Sequence, residues 1–321
     1  GRMLQPQDFV SAYYRDDCLL LAMGMNPEEL MLQLFAKADD PFSGGRTYYS
    51  HPSLNRPDLP RIPHQSSATG MQAIPAAGVA MGIQYRETCG LGHDRDGAPP
   101  VVICSIGDAA MTEGEVSEAL HMSDLKELPI IWLVQDNEWD ISAHSSEIRS
   151  HDASTLVQAF PQIKAFEIDG ADSEASMDTM QAAFEFVREH RKPAMVHAHV
   201  PLLGHHTSGV RKEWYRDDLE SHEKRDPLPR LQQRLEALGI DKSELNRLKT
   251  EAQTLVQAAF DEAISKPDPD SASLMQHAIA PTAILEEEGE RIGEGTEPTL
   301  MVDCALHAMQ EILEQHPEAL L

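Results

Sequence analysis

Two unbroken apolar runs on either side of a helical segment constrain the fold more than any other feature. The first, 100–106, reads PVVICSI, and the second, 129–135, reads PIIWLVQ. Runs of this length without alternating polar residues predict strands that are covered on both faces. The intervening segment, 113–127, has the pattern of a helix. Because strand, helix and strand in this order form a parallel βαβ unit, we predict a parallel sheet.

The same alternation continues along the chain. Segments 164–168 and 194–200 are predicted strands, and 173–190 between them is a predicted helix. Upstream, 70–87 is a predicted helix whose small residues allow a neighbouring element to approach closely. Together these elements predict an α/β fold, a doubly wound and mainly parallel sheet with helices on both faces. Because such sheets bind ligands at the carboxyl ends of their strands, functional residues are expected in the loops that follow them.

Beyond the sheet, the pattern changes twice. Residues 227–264 are predicted to be helical with polar faces, and a Pro/Asp-rich stretch ends them. Residues 285–298, rich in Glu and Gly, are predicted to be an acidic, exposed linker, with Glu286-Glu287-Glu288 as a solvated run. The segment 299–314 (TLMVDCALHAMQEILE) then begins a further amphipathic helix. We therefore predict one α/β domain over 1–284, the linker over 285–298, and the start of another domain over 299–321.

Composition limits the classes of partner. A formal charge of −27 at pH 7 would repel phosphate backbones, so neither nucleic acid nor an anionic membrane surface is expected as a partner. No run approaches the roughly 18 to 20 apolar residues of a membrane span, and the N-terminal residues lack the apolar stretch of a secretion signal. We expect a soluble, cytoplasmic protein whose electrostatic partners are basic.

Polar residues that could bind a metal follow the two apolar strands. Gly107-Asp108-Ala109-Ala110 comes after the first strand, and Asn137 comes after the second. A carboxylate and an amide oxygen are hard ligands that suit Mg²⁺, which commonly shares its shell with ligand phosphates. Backbone amides at the start of the helix at Glu113 could hold a diphosphate. Taken singly, the two loops could be a helix-capping turn and an ordinary loop, but their pairing after buried strands favours a metal–diphosphate site.

The motif that runs from Gly107-Asp108 to Asp136-Asn137 resembles the thiamine-diphosphate motif, which opens with Gly-Asp-Gly and closes with Asn-Asn. Its intervening Glu113-Gly114-Glu115 resembles the α part of 2-oxoacid dehydrogenases. Two positions depart from the pattern, because Ala109 replaces a Gly and Asp136 replaces an Asn.

This resemblance implies the thiamine-diphosphate-binding fold and two cofactors, thiamine diphosphate and Mg²⁺. The implied metal ligands are the side chains of Asp108 and Asn137 and the main-chain carbonyl of Trp139. The implied cofactor contacts in this motif are Gly107, Asp108, Ala109, Ala110, Asn137 and Trp139.

Two segments before the motif extend the resemblance. Tyr14-Arg15 resembles a Tyr-Arg pair whose Arg reaches the diphosphate, and a guanidinium suits phosphate bidentately. By itself, this cluster of residues could equally be a surface feature. The segment 66–75 resembles the loop that supports the cofactor rings, which implies that Ser67 and Thr69 contact the cofactor; the register could be shifted by one residue.

A histidine pair after the strand ending at 200 is the third match. Gly204-His205-His206-Thr207-Ser208 is similar to the Gly-His-His-Ser-Thr-Ser of branched-chain 2-oxoacid dehydrogenases. The resemblance places His206 near the diphosphate and the reacting centre, and we predict His206 and His205 as catalytic residues. Histidine titrates near neutrality, so it can position or protonate an intermediate. The alternative is that the pair only caps the strand end.

Other matched segments carry weaker predictions. His51 and His64 lie in a Pro-rich loop, and either could contact substrate. Ser145 to Arg149 resembles the loop that covers the cofactor in relatives. Trp214-Tyr215-Arg216 and the Asp-Pro segment after it are expected to shape a loop and start a helix, not to take part in chemistry.

The function that the resemblance implies is oxidative decarboxylation of a 2-oxo acid, with acyl transfer to a lipoyl-bearing acyltransferase. Thiamine diphosphate would carry the bond chemistry, and the protein would anchor and orient it. In the family, the glutamate that promotes ylide formation belongs to the β part, and 299–306 resembles the opening of that part. Tyr14-Arg15 lies far deeper in typical relatives. We therefore expect a fragment of a fused α–β enzyme, truncated at both ends and inactive alone.

The implied partners are the β-type domain or subunit, the acyltransferase core of the complex and a small 2-oxo acid, and we expect a homo-oligomer. Within the enzyme class, a pyruvate or acetoin dehydrogenase component is the alternative to a branched-chain enzyme. A non-catalytic interaction module with an acidic docking surface is the alternative from another class. A nucleotide-binding domain is disfavoured because no Gly-x-Gly-x-x-Gly or Gly-x-x-x-x-Gly-Lys-Ser/Thr loop follows a strand.

Overall fold

A five-stranded parallel sheet forms the centre of the protein. The computed structural model describes residues 1–63, 67–207, 209–276, 278–280 and 298–320. The strands are β1 (Phe9–Ser11), β2 (Val102–Gly107), β3 (Ile130–Asp136), β4 (Trp139–Asp140), β5 (Ala143–His144), β6 (Lys164–Asp169) and β7 (Ala194–His199). The sheet order is β1-β2-β3-β7-β6, with every pair parallel, and β4 and β5 form a separate antiparallel pair.

Eleven α-helices are found among the described residues. They are α1 (Asp17–Ala22), α2 (Pro27–Leu34), α3 (Ala73–Thr88), α4 (Gly114–Lys126), α5 (Ser145–Ile148), α6 (Ala153–Leu156), α7 (Ser173–His190), α8 (Leu219–Lys224), α9 (Pro227–Ala237), α10 (Lys242–Ser265) and α11 (Met301–Gln315). The predicted order of strands and helices from 70 to 200 is confirmed. None of the described helices is long and apolar enough to cross a membrane.

Hydrophobic residues cover the sheet on both sides, as predicted. All six residues of β2 are buried, and Trp132 of β3 is fully enclosed. One core cluster joins the sheet to α3 and α4, and the other joins it to α1, α2 and α7. Both faces of the central strands are therefore removed from water, which is why their sequences show no polar alternation.

The register of the central strands brings their carboxyl ends together. Gly107 of β2 pairs with Gln135 of β3, and Asp136 pairs with His199 of β7. Asp108, which follows β2, and Asn137, which follows β3, therefore lie close together at one edge of the sheet. Ligand-binding loops of this fold class are found at that edge.

The N-terminal elements were not predicted from the sequence. Strand β1 has only three residues, and its alternation is too short to give a periodic signal. It nevertheless extends the sheet beside β2. Helix α2 in turn packs against α10, where the rings of Phe35 and Phe260 meet edge-to-face at 5.3 Å.

The C-terminal helix α11 is exposed over most of its length. The tail that follows it reaches α3, where the Tyr85 hydroxyl donates a hydrogen bond to the Pro317 carbonyl at 2.7 Å. Most of the predicted linker lies outside the described residues, so the division of the chain at 285–298 stays a prediction.

Candidate active site

Asp108 and Asn137 lie next to one another at the carboxyl ends of β2 and β3. The backbone N–H of Asn137 donates to Asp108 Oδ1 at 3.4 Å. Asp108 is buried, and its Oδ2 has no hydrogen-bond partner among the described residues. Although Asp108 precedes a short 3₁₀ helix (Ala109–Thr112), its side chain does not cap that helix. The Asp108 carboxylate is therefore not used up by capping, and the one side-chain cation beside its Oδ2 among the described residues is Arg149, whose Nη1 lies 3.3 Å away.

A tight turn carries the chain from Asn137 into β4. The Asn137 side-chain oxygen accepts from the Trp139 N–H at 3.0 Å, and Glu138 between them adopts a left-handed backbone with φ of 67°. Such a conformation is unfavourable for a residue with a side chain. The turn keeps the main chain of Trp139 beside Asn137, as a shared metal shell would require.

Asp136, the departure from the Asn-Asn pattern, is the centre of a buried network. Arg149 Nη2 donates to both of its oxygens, at 2.9 and 2.8 Å. His197 Nε2 lies 2.8 Å from Asp136 Oδ2, and its Nδ1 lies 2.7 Å from Ser154 Oγ. Arg149 also places Nη1 3.3 Å from Asp108 Oδ2. The extra negative charge of Asp136 is thus compensated by a cation from the 145–149 loop, a partner that the sequence analysis did not assign.

The two carboxylates have opposite pKa shifts. Burial, and then the neighbouring Asp136, raise the pKa of Asp108 to about 7. Burial alone would raise the pKa of Asp136, but hydrogen bonds from His197 and Arg149 hold it below its usual range. Asp136 is therefore the permanent anion, and Asp108 is the carboxylate whose charge a bound cation would stabilise.

A second group of metal-ligand atoms lies beside this network. Ligand atoms of Asp136, His197 and His199 lie within 4.8 Å of one another. However, Arg149 already donates to both oxygens of Asp136, and its positive charge would oppose a cation there. Arg149 lies farther from Asp108, at 3.3 Å and on one oxygen only, so Asp108 and Asn137 remain the predicted metal ligands.

The residues predicted to bind the diphosphate, Tyr14, Arg15 and His206, contact one another. Arg15 donates to the His206 carbonyl at 3.0 Å and to the Tyr14 hydroxyl at 2.8 Å, and that hydroxyl lies 3.4 Å from His206 Nε2. His206 is buried, and burial, together with the charges of Arg15 and Arg216, lowers its pKa to about 4. Residues almost 200 positions apart in sequence thus form one contact, with a neutral imidazole at its centre.

A cavity lies between the N-terminal segment and the loop before α3. Its lining includes Tyr13, Tyr14, His51, Ser67, Thr69 and Ala110. Gly107 is packed so closely that an added Cβ would lie 2.9 Å from the Tyr13 hydroxyl. The structure therefore brings the predicted ring-supporting loop and Ala110 to the same cavity as Tyr14.

Some predicted residues lie elsewhere. His205 is exposed, and its Nδ1 accepts from the Lys212 N–H at 3.2 Å, so it does not join the contact of His206 with Arg15. His64 and Ser208 lie outside the described residues.

Asp218, which the sequence analysis did not single out, holds the side chain of Trp139 in the turn after Asn137. Asp218 Oδ2 accepts from Trp139 Nε1 at 2.8 Å. An acidic residue after a Tyr-Arg pair is too common in sequences to signal such a role.

Comparison with known proteins places this geometry in a family context. The profile of the family described as "Dehydrogenase E1 component" matches residues 2–272. The pyruvate dehydrogenase E1 component subunit alpha of Porphyra purpurea is 27% identical over 291 residues, which cover 87% of this chain and 80% of that protein. The 2-oxoisovalerate dehydrogenase subunit alpha of Bacillus subtilis is 28% identical over 264 residues, which cover 81% of this chain and 76% of that protein.

Proposed function

The chain belongs to the dehydrogenase E1 component family, and we propose that it provides the Mg²⁺–diphosphate half of a 2-oxoacid dehydrogenase active site. The family depends on thiamine diphosphate. One observation carries the proposal: a buried carboxylate oxygen of Asp108 that accepts no hydrogen bond from any described residue lies beside Asn137, at adjacent ends of two parallel strands.

The donor set fits the group that it would hold. Carboxylate, amide and main-chain oxygens are the ligands that Mg²⁺ prefers, and Asp108, Asn137 and Trp139 offer one of each. Two buried nitrogens, Arg15 Nε and His206 Nδ1, have no hydrogen-bond partner among the described residues and lie at the predicted diphosphate end. Gly107, Ala109 and Ala110 leave backbone close to the ligand because they carry little or no side chain.

Bound thiamine diphosphate supplies the electron sink for decarboxylation of a 2-oxo acid. The chain's own residues bind and orient. Arg15 holds the loop of His206 through its carbonyl, and the neutral imidazole can accept a proton but carries none to give near pH 7. Ser67 and Thr69 line the cavity where the rings would lie.

A β-type domain or subunit is the proposed partner that completes the site with the ylide-promoting glutamate. Helix α3 starts beside the cavity and leaves Ile74 and Met81 about two-fifths exposed. On the same helix, an added Cβ at Gly78 or Gly82 would meet nothing within 4 Å. This uncovered apolar face with open glycines suits close packing of another element.

The proposed substrate is a branched-chain 2-oxo acid, with pyruvate as the alternative. The His205-His206 pair supports the branched-chain assignment, whereas the relatives carry both substrate names. We further propose that the chain assembles as a homo-oligomer and that the acyl group is transferred to a lipoyl-bearing acyltransferase core. The net charge of −27 favours docking onto a basic surface of that core.

Titration of the chain with thiamine diphosphate in the presence and absence of Mg²⁺ tests the proposal. We expect Mg²⁺-dependent binding that Asp108→Asn weakens at least about 10-fold, since a neutral amide replaces a charged ligand. Asp178→Asn, an exposed position on α7, is the control and should bind like wild type.

Activity separates the enzyme from an interaction module. With the β-type partner present, decarboxylation of a 2-oxo acid with a dye as acceptor supports the enzyme. Binding without turnover would support the module, and wild-type affinity in Asp108→Asn would refute the proposed metal site.

A further inference from the structure

Arg216 is a buried cation with one unsatisfied nitrogen. Its side chain is fully enclosed. Nε donates to Asp218 Oδ1 at 2.7 Å and Nη1 donates to the Leu202 carbonyl at 2.8 Å, but Nη2 has no hydrogen-bond partner within the part of the chain that the structure describes. A buried charged donor without a partner is costly and uncommon, so this nitrogen requires an explanation.

The neighbours of Arg216 hold its guanidinium in a fixed position. Besides Arg216, Asp218 accepts from Trp139 Nε1 at 2.8 Å and lies 2.9 Å from His222 Nε2. The Leu202 N–H donates to His222 Nδ1, so the proton of a neutral His222 is on Nε2, facing Asp218. The guanidinium also lies over the Trp139 ring, 5.4 Å from its centre. The orientation of Nη2 is therefore preorganised and does not depend on a mobile side chain.

The surroundings of Arg216 contain further unpartnered polar atoms. Arg15 Nε, His206 Nδ1 and the Tyr215 hydroxyl are all buried and without hydrogen bonds among the described residues. Arg15 donates to the His206 carbonyl, Arg216 donates to the Leu202 carbonyl four residues earlier, and the Trp139 ring under Arg216 also contacts the Tyr215 ring at 5.4 Å. The charges of both arginines lower the pKa of His206. Two guanidiniums with free donors around a neutral imidazole form a site for an oxyanion.

We propose that Arg216 is a second guanidinium of an oxyanion site shared with Arg15 and His206, and that it binds a phosphate oxygen of a diphosphate ester. The Arg216 guanidinium contacts the ring of Trp139, a predicted metal ligand, and its charge lowers the pKa of His206. A phosphate oxygen bound there would accept hydrogen bonds from the unpartnered nitrogens of Arg15 and Arg216. Guanidinium donors match the geometry of phosphate oxygens, and charge-assisted hydrogen bonds are about twice as strong as neutral ones.

This inference rests on the proposed function and assigns a role in binding to a residue that the sequence analysis expected only to shape a loop. The two roles differ in what they recognise. Substituting an arginine that only shapes the loop would weaken the binding of all thiamine compounds equally. Substituting an arginine that binds an oxyanion would weaken binding more for ligands with a diphosphate than for ligands with one phosphate.

Isothermal titration of the full chain with Mg²⁺ present separates the roles. The ligands are thiamine diphosphate, thiamine monophosphate and inorganic pyrophosphate. We expect Arg216→Met to lower the affinity for thiamine diphosphate and for pyrophosphate about 10- to 100-fold. It should also reduce the ratio of the affinity for thiamine diphosphate to that for thiamine monophosphate. Arg211→Met, an exposed arginine of the same loop, should leave all three affinities unchanged.

Arg216→Lys guards against a folding defect, since it keeps a cation next to Asp218. Its thermal stability should stay close to that of wild type while its pyrophosphate affinity falls. Unchanged pyrophosphate affinity in a folded Arg216 variant overturns the inference, and so does an equal loss for diphosphate and monophosphate. A wild-type chain that binds none of the ligands overturns the proposed function and this inference together.

Discussion

His206 shows how the environment sets the charge of one imidazole. The ring is buried, its backbone carbonyl is held by Arg15, and Arg216 lies close by. Burial disfavours the charged ring, and two nearby cations disfavour it further, so its pKa falls to about 4. The residue can therefore sit next to a diphosphate as a neutral hydrogen-bonding group while the two guanidiniums supply the positive charge.

The lowered pKa of His206 predicts a pH-dependent contribution to stability. Between about pH 4 and pH 6.5, the unfolded chain binds a proton that the native ring does not, so stability falls on acidification through this window. In the wild type, the free energy of unfolding should fall by on the order of 2 kcal/mol across this window, after allowance for solvent screening of the guanidiniums. His206→Gln should abolish this fall.

Urea unfolding at a series of pH values measures this contribution as the difference between wild type and variant. His205→Gln, at the exposed neighbouring position, is the control. A difference that stays constant from pH 4 to pH 6.5 would mean that His206 titrates normally in the folded protein.

At the scale of elements, Arg149 ties α5 to the ends of β2 and β3. Its guanidinium contacts Asp136 on both oxygens and lies 3.3 Å from Asp108. His197 on β7 and Ser154 on α6 complete the arrangement. Strands β3 and β7 and the helices α5 and α6 therefore meet in one network around a buried carboxylate, next to the predicted metal ligand.

Asp136→Asn, which restores the residue of the resembled motif, should destabilise this protein. The change leaves Arg149 buried with a neutral acceptor, and breaking a buried pair costs about 2–4 kcal/mol. Urea unfolding should show this loss, and limited proteolysis should cut the 141–151 loop faster. Asp140→Asn, exposed in the same loop, is the control.

The double variant Asp136→Asn with Arg149→Met tests the coupling. Because the second change removes the stranded cation, the combined loss should be smaller than the sum of the single losses. Strict additivity would show that the two side chains do not stabilise one another.

At the scale of the whole molecule, helix α3 connects the cavity to a surface that the described chain leaves uncovered. Its inner face carries Ala73, Ala76, Ala77 and Ala80 into the core, and its outer face exposes Ile74, Gly78 and Met81. A partner packed on that outer face would lie directly beside the site.

Gly78→Ala should have opposite effects on the chain and on its assembly. Alanine favours a helix over glycine by about 0.5–1 kcal/mol, and the added Cβ meets nothing within 4 Å. The isolated chain should therefore unfold at a higher urea concentration, while its association with the β-type partner in sedimentation experiments should weaken.

Met177→Ala removes an exposed methionine on α7, on the other side of the sheet, and should leave association unchanged. Normal association of the Gly78 variant would place the partner on another surface.

The local sequence was sufficient for β2, β3, β6 and β7 of the sheet and for the positions of Asp108 and Asn137 after two of these strands. Unbroken apolar runs specify strands buried on both faces, so β2, β3 and the helix between them follow from residues close together in the chain. The ends of parallel neighbours meet at one edge by geometry, which is why Asp108 and Asn137 could be paired before any contact was known.

Only the tertiary structure decided which distant residues complete the site. That Arg149 neutralises Asp136, that His206 meets Arg15 while His205 faces solvent, and that Arg216 keeps a free nitrogen beside them depend on packing across the molecule. Periodicity reports on neighbours within one element, whereas these contacts join loops from different elements. Charge compensation and burial arise only when the folded chain brings such loops together, so the sequence identified the strands and their loops, and the fold determined their electrostatics.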